Sequence, residues 1–144
     1  MRECRCTPQA VGRYREKLSG PLRDRLDLSV EVPALPPDAL TAEANGEPSA
    51  SVCARVIAAR EIQQARFDGD AVRTNADLSP PLIRRYCSLD RPAMRVLNEA
   101  VRRLSLSARA YDRVRKVART IADLEGVESI SADHLAEALQ FRLL

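Results

Sequence analysis

The stretch "LSARAYDRVRKVARTIADLEGVESISADHLAEALQFR", Leu106 to Arg142, contains two helical patterns in succession. Ser107 and Ser131 each precede such a pattern, where a hydroxyl can cap the first turn. Gly126 separates the two patterns, as is typical of a residue that ends a helix. We therefore predict two adjoining amphipathic helices. Their inward positions are Tyr111, Val114, Ala118 and Ile121 in the first helix and Leu135, Ala138 and Leu139 in the second.

The same reasoning, applied upstream, predicts three more helices. We expect one from Ser49 or Ser51 to about Phe67, a short one from Ser79 to near Cys87, and one that carries Met94, Leu97, Val101 and Leu104. In the first of these helices, Val52, Val56 and Ala59 share one face, and Cys53 and Cys87 look like core residues. Residues 49–144 thus predict a small bundle of about five helices.

The chain before this bundle has a different character. Thr7 and Pro8 are typical of a helix start, for a helix to about Leu18, and Pro21 can open a very short helix that reaches Arg25. Leu28, Val30 and Val32 then alternate with polar residues, which predicts a strand. Proline, alanine and glutamate dominate the connector that follows. We therefore divide the chain into residues 1–35, a linker 36–48, and a helical domain 49–144.

Composition restricts the function without assigning it. Aromatic residues make up 3% of the 144 residues and there is no Trp, so the core is aliphatic and a base-stacking surface is not expected. A net charge of +3 does not by itself establish nucleic-acid binding. Of the 23 basic residues, only Lys17 and Lys116 are lysines. Codon bias and phosphate-binding guanidinium groups both explain this excess of arginine.

Catalytic motifs, the histidine, the cysteine pair and the absence of targeting segments each restrict the possible function or location. The sequence has no phosphate loop and no Ser-His-Asp arrangement, so this chain alone is not expected to be a complete enzyme. The single histidine, His134, is expected to lie at the surface or to cap a helix. Cys4 and Cys6, in "CRC", form a weak zinc signal, because structural zinc usually takes four ligands. Without a long apolar run or a signal peptide, a cytoplasmic location with no membrane partner is expected.

Arg25, in "GPLRDRLDL", has two interpretations. It can form surface salt bridges with Asp24 or Asp27, and such pairs contribute only about 0–1 kcal/mol. Alternatively, it is an arginine finger, which reaches a neighbouring subunit and stabilises the charge of a transferring phosphoryl group. The spacing alone favours the salt bridge.

Arg109 is in the first turn of the helix that follows Ser107. Arg113 and Lys116 share its face, and the pairs Asp112–Lys116 and Arg119–Asp123 have the i,i+4 spacing of ion pairs. A solvated basic face is one interpretation. However, a cation in the first turn opposes the helix dipole. An anion outside the helix could compensate Arg109, and a nucleotide phosphate is one candidate.

The motif around Arg25 and the motif around Arg109, in this order, resemble those of a known family. "RECRCTPQAVGRYREKLSGPLRDRLDLSVEVP" resembles the region after sensor 1 in the magnesium-chelatase-related AAA+ ATPases of the ComM type. The stretch from Leu106 to Arg142 resembles their C-terminal lid. The resemblance implies a mostly α fold, in which a helical-bundle lid follows a fragment of the α/β AAA+ core.

The resemblance also implies roles for particular residues. Arg25 corresponds to the finger that acts in trans, and Arg109 to the sensor 2 arginine over the ATP phosphates of its own subunit. Cys4 and Cys6 would be half of a presumed zinc site, and ATP with Mg²⁺ would be bound by the full-length protein. That protein is expected to be a ring, most simply a hexamer, that drives DNA branch migration in natural transformation.

Two other functions stay open at this point. A metal-inserting chelatase motor for tetrapyrroles shares the lid architecture. A non-enzymatic helical module could instead bind DNA through the arginines of residues 102–119.

Overall fold

The computed structural model describes residues 5–36, 38 and 46–142. Over these residues the fold is helical, with seven α-helices and one turn of 3₁₀ helix at Asn75–Asp77. The α-helices are α1 (Pro8–Glu16), α2 (Gly20–Arg23), α3 (Ser49–Arg66), α4 (Pro80–Tyr86), α5 (Arg91–Leu104), α6 (Ala108–Leu124) and α7 (Ala132–Gln140).

Helices α3 to α7 form the predicted five-helix bundle, which comprises residues 46–142. Side-chain caps fix where α5 and α6 begin: Asp90 accepts a hydrogen bond from the Ala93 amide at 2.8 Å, and Ser107 accepts one from the Ala110 amide at 3.2 Å. Helix α6 ends before Gly126, whose φ of 73° lies in the left-handed region that glycine tolerates best. The predicted cap at Ser131 is also present, since its hydroxyl accepts from the amide of His134.

Helix α6 is central to the bundle because it packs against α3, α4 and α7. Its inward face is built from small and branched aliphatic residues, as the scarcity of aromatics requires. The buried Phe67 and the half-buried Tyr86 meet edge to face, with ring centroids 5.2 Å apart. The core of the bundle consists of Phe67, Leu78, Ile83, Cys87, Ala93, Leu97, Val114, Ala118, Ile121, Ala122, Ile130, Leu135 and Ala138.

Helix α3 is buried over only part of its length. Of the three residues predicted to share one face, Ala59 is buried, whereas Val52 and Val56 are 40% and 46% exposed. The buried residues of α3 all lie in its second half, where it packs against α6. Pro48 occupies the cap position without a side-chain hydrogen bond, so neither predicted serine caps this helix.

The two cysteines that were expected in the core have different environments. Cys87 is fully buried, and burial raises the pKa of its thiol to about 11. Cys53 is exposed, because it lies on the unpacked first half of α3, and the prediction for it is wrong.

The N-terminal segment, residues 5–36, carries two short helices. Thr7 and Ser19 cap them, and α1 ends at Glu16, shortly before the predicted end. None of its described side chains is buried. No helix of the described residues is both long and apolar enough to cross a membrane.

The strand predicted after Arg25 is absent from the part of the chain that the structure describes. Residues 28–36 are irregular, and Leu28, Val30 and Val32 are 53%, 65% and 85% exposed. A strand needs a neighbour for its backbone hydrogen bonds, and the described residues provide no partner strand. The Ser29 amide donates instead to the carbonyl of Phe141 at 2.7 Å.

Candidate functional site

Arg25 lies in the turn directly after α2 and is exposed. Its backbone amide donates to the carbonyl of Leu22 at 3.0 Å, three residues earlier, so the hydrogen bonding of the short helix continues to Arg25. Its guanidinium makes no hydrogen bond or ion pair with any residue in the described ranges. The surface salt bridge with Asp24 or Asp27 is therefore absent, because both carboxylates bind other arginines.

Asp24 faces the helical bundle. Arg142 donates from Nη2 to its Oδ1 at 2.7 Å, and the two side chains are 10% and 28% exposed, respectively. The pKa of Asp24 is held below its ordinary value of 3.8 by hydrogen bonding from the Ser107 hydroxyl, then by Arg142, with a smaller contribution from the charge of Arg109. A carboxylate thus lies at the positive end of α6, where the helix dipole stabilises it.

Two further contacts hold the same turn against the bundle. Asp27 forms an ion pair with Arg113 of α6. The Ser29 amide donates to the Phe141 carbonyl just after α7. We call these three contacts, Asp24–Arg142, Asp27–Arg113 and Ser29–Phe141, the clasp.

Arg109 is the second residue of α6 and is exposed. Within the described part of the chain, its guanidinium makes no hydrogen bond or ion pair. Asp24 is the anion whose pKa its charge lowers. The sequence suggested that an external anion compensates Arg109, and in this structure Asp24 contributes to that compensation. Arg25 follows Asp24 directly in the chain, and the charge of Arg109 acts on the same carboxylate, so both arginines lie near the start of α6.

The structure leaves the cysteine pair incomplete as a metal site. Cys4 lies outside the described residues, and Cys6 has an exposed, free thiol. Among the residues that the structure describes, no group of three or more His, Cys, Asp or Glu side chains could hold a metal ion. Two cysteines supply at most half of a tetrahedral zinc site, so this chain does not by itself fit a complete one.

A buried polar network around Asp123 was only partly predictable. The expected pair with Arg119 is present, with Nε 3.0 Å from Oδ1. Arg66 adds a second guanidinium, at 2.9 Å from Oδ2, and Asn75 donates to the same oxygen at 2.8 Å. The Asp112–Lys116 pair is replaced by a hydrogen bond of 2.8 Å from Lys116 to the Ala76 carbonyl.

Arg115 and Arg119 are buried and bind backbone carbonyls. Arg115 donates to the carbonyl of Cys87 at 2.7 Å, and Arg119 donates to that of Val127 at 2.6 Å. These guanidinium groups stabilise the ends of helices and loops and are not available to a ligand. The sequence did contain a signal for this burial. Arg115 and Arg119 are four residues apart, and each directly follows an apolar residue of the inward face of α6.

His134 caps α7, as predicted, but it is buried rather than at the surface. Its Nδ1 accepts from the Ser131 amide at 3.0 Å, and its Nε2 is 2.9 Å from Oε2 of Glu125. Both ring nitrogens are therefore used in structure.

The structure is thus a helical bundle with an exposed arginine at the start of its central helix, attached to a turn that carries another exposed arginine. Residues 46–142 match the family model described as magnesium chelatase, subunit ChlI C-terminal. Residues 1–40 match the one described as magnesium chelatase, subunit ChlI. The chain belongs to this magnesium-chelatase-related family of AAA+ proteins.

Among its relatives are proteins of the ComM type. The chain is 46% identical over 141 residues to the competence protein ComM of Haemophilus influenzae. It is 46% identical to the uncharacterized protein YifB of Salmonella typhimurium and 43% identical, over 140 residues, to the uncharacterized protein Rv2897c of Mycobacterium tuberculosis. Each alignment covers 97% of this chain but only 27% or 28% of the relative. The chain thus spans about a quarter of these relatives' length.

Proposed function

We propose that this chain is the nucleotide-sensing and subunit-contact part of an ATP-driven ring protein of the ComM type. The observation that carries the proposal is that Arg25 and Arg109, at one end of the bundle, are exposed and have no ion pair within the described residues. Phosphate oxygens are the ligands that suit such guanidinium groups. By contrast, Arg66, Arg113, Arg115, Arg119 and Arg142 are bound to internal acceptors.

In this proposal the two arginines act on different nucleotides. Arg25 reaches the ATP of a neighbouring subunit and stabilises the charge that develops on the transferred phosphoryl group, an effect of roughly 10³–10⁵ in rate. Arg109 contacts the phosphates of its own subunit's ATP from the first turn of α6. The phosphate loop and the residues that hold Mg²⁺ belong to the remainder of the whole protein, which is a cytoplasmic ring, most simply a hexamer.

DNA is the proposed substrate of the ring. Support comes from the relatedness to a competence protein. The bundle itself supports a smaller role in DNA binding than its sequence suggested, because Arg115 and Arg119 are buried. This observation disfavours the alternative in which the helical module binds DNA alone. The family model's description keeps a metal-chelatase motor as the second candidate, and capture of a porphyrin-binding partner subunit would favour it.

The zinc site is proposed for the whole protein only. Cys4 and Cys6 would provide two of its ligands, and a second cysteine pair elsewhere in that protein would provide the others.

The test measures ATP hydrolysis and ATP binding by the whole protein. We expect Arg25→Ala to abolish hydrolysis while ATP still binds, and Arg109→Ala to weaken both the affinity and the rate. Arg13→Ala is the matched control, because Arg13 is also an exposed arginine of the N-terminal segment. Normal turnover by Arg25→Ala would contradict the finger, and an unchanged affinity and rate in Arg109→Ala would contradict the sensor.

A further inference from the structure

The two aspartates that flank Arg25 have no role in the function proposed so far. Asp24 precedes Arg25 directly and Asp27 follows it by two residues. The structure assigns each of them to a different anchor on the bundle. Arg142, just beyond α7, binds Asp24 at 2.7 Å, and Arg113, in α6, binds Asp27.

These pairs are better placed than ordinary surface ion pairs. Arg142 is 10% exposed and Arg113 is 26% exposed, so both guanidinium groups are partly shielded from solvent. Both arginines belong to the bundle, whereas the turn they hold has no buried side chain. The backbone hydrogen bond from Ser29 to Phe141, at 2.7 Å, adds a third point of attachment.

The two ion pairs attach the chain to the bundle just before and just after Arg25, which restricts where Arg25 can lie. One ion pair would leave the turn free to rotate about it. Two pairs on opposite sides of Arg25, with a third contact beyond them, fix both the place and the direction of the turn. The guanidinium of Arg25 is exposed and has no hydrogen bond or ion pair among the described residues.

We propose that Asp24 and Asp27 are positioning residues for Arg25, and that the clasp makes the position of Arg25 follow that of α6. This inference rests on the proposed function of Arg25 and deepens it. Arg109 and Arg113 lie one turn apart on α6, so a displacement of α6 by phosphate at Arg109 is passed through Arg113 and Asp27 to the turn. The nucleotide state of one subunit thereby determines the position of the Arg25 that reaches the neighbouring subunit.

The experiment reverses one ion pair in the whole protein. Asp27→Arg and Arg113→Asp should each lower kcat by about 10²-fold, the effect of misplacing a catalytic group by roughly 1 Å, with the KM for ATP unchanged. The double variant, Asp27→Arg with Arg113→Asp, restores the attraction and should recover most of kcat. The matched control exchanges Glu99 and Arg103, an exposed i,i+4 pair on α5, and should leave kcat unchanged.

The outcomes separate this inference from the function on which it rests. Normal turnover by Arg25→Ala would remove the proposed function itself. If Arg25→Ala is inactive while both single reversals keep normal kcat, or if the double variant is as impaired as the singles, the positioning role is overturned. Amide exchange of Ser29 in the 144-residue chain provides a readout without ATP: it should accelerate in each single variant and slow again in the double variant.

Discussion

The helical bundle and the N-terminal segment are held in place by different forces. The bundle, residues 46–142, has a continuous aliphatic core and a buried polar network around Asp123. The N-terminal segment, residues 5–36, has no buried side chain among those described and is attached by the clasp. Hydrophobic burial and buried hydrogen bonds hold the bundle together, whereas two ion pairs and one backbone hydrogen bond hold the segment in place. The difference teaches that Arg109, the proposed sensor, is built into the bundle itself, while Arg25, the proposed finger, is held against the bundle only by the clasp.

The largest expected effect is on the bundle. Asp123→Ala leaves the guanidinium groups of Arg66 and Arg119 buried without their carboxylate, and should lower the free energy of unfolding by about 3–5 kcal/mol. Urea denaturation of the chain measures it. Glu99→Ala is the control, because its pair with Arg103 is exposed and worth about 0–1 kcal/mol. Equal losses in the two variants would mean that the buried network does not stabilise the bundle.

A second pair of variants compares the two regions directly. Leu97→Ala removes a fully buried side chain from α5 and should cost about 2–5 kcal/mol of unfolding free energy. Val30→Ala, in the N-terminal segment, truncates a side chain that is 65% exposed and should change it by less than about 0.5 kcal/mol. Thermal denaturation of both variants suffices. A large loss in Val30→Ala would show that the segment is packed rather than clasped.

The smallest effect concerns the pH dependence of the clasp. Because the pKa of Asp24 is lowered on folding, its stabilising contribution is complete above the ordinary value of 3.8 and is lost as the pH falls through the lower folded value. An NMR titration of the Asp24 carboxyl carbon should give a midpoint below 3.8. Ser107→Ala and Arg142→Ala should each raise that midpoint, because each removes a hydrogen bond to the carboxylate. A midpoint that neither variant shifts would contradict the clasp at Asp24.

The bundle could be predicted from the sequence because its signals are local. Serine caps, the glycine after α6 and apolar positions at helical spacing placed five helices and most of the core. Periodicity identifies an apolar face but not whether a neighbouring element covers it. For this reason Cys53, which was expected in the core, is exposed on the first half of α3.

The contacts at the candidate site were less predictable because they are distant in the chain. Nothing in the local sequence links Asp24 to Arg142, which is 118 residues away. The alternation of Leu28, Val30 and Val32 predicted a strand, but a strand requires a partner that a single segment does not reveal. Arg25 has no ion pair with its neighbouring aspartates because Asp24 binds Arg142 and Asp27 binds Arg113. Its lack of a partner therefore could not be predicted from the local sequence.

The most direct test of the account mixes two impaired forms of the whole protein. A subunit with Arg25→Ala keeps the proposed sensor, and one with Arg109→Ala keeps the proposed finger. In randomly mixed rings with equal numbers of both, about one quarter of the head-to-tail interfaces combine the intact sensor with the intact finger. We predict that the mixture hydrolyses ATP at about a quarter of the wild-type rate per subunit, the fraction set by these interfaces. A mixture that is no more active than its separate components would contradict the assignment of the two arginines to opposite sides of one nucleotide.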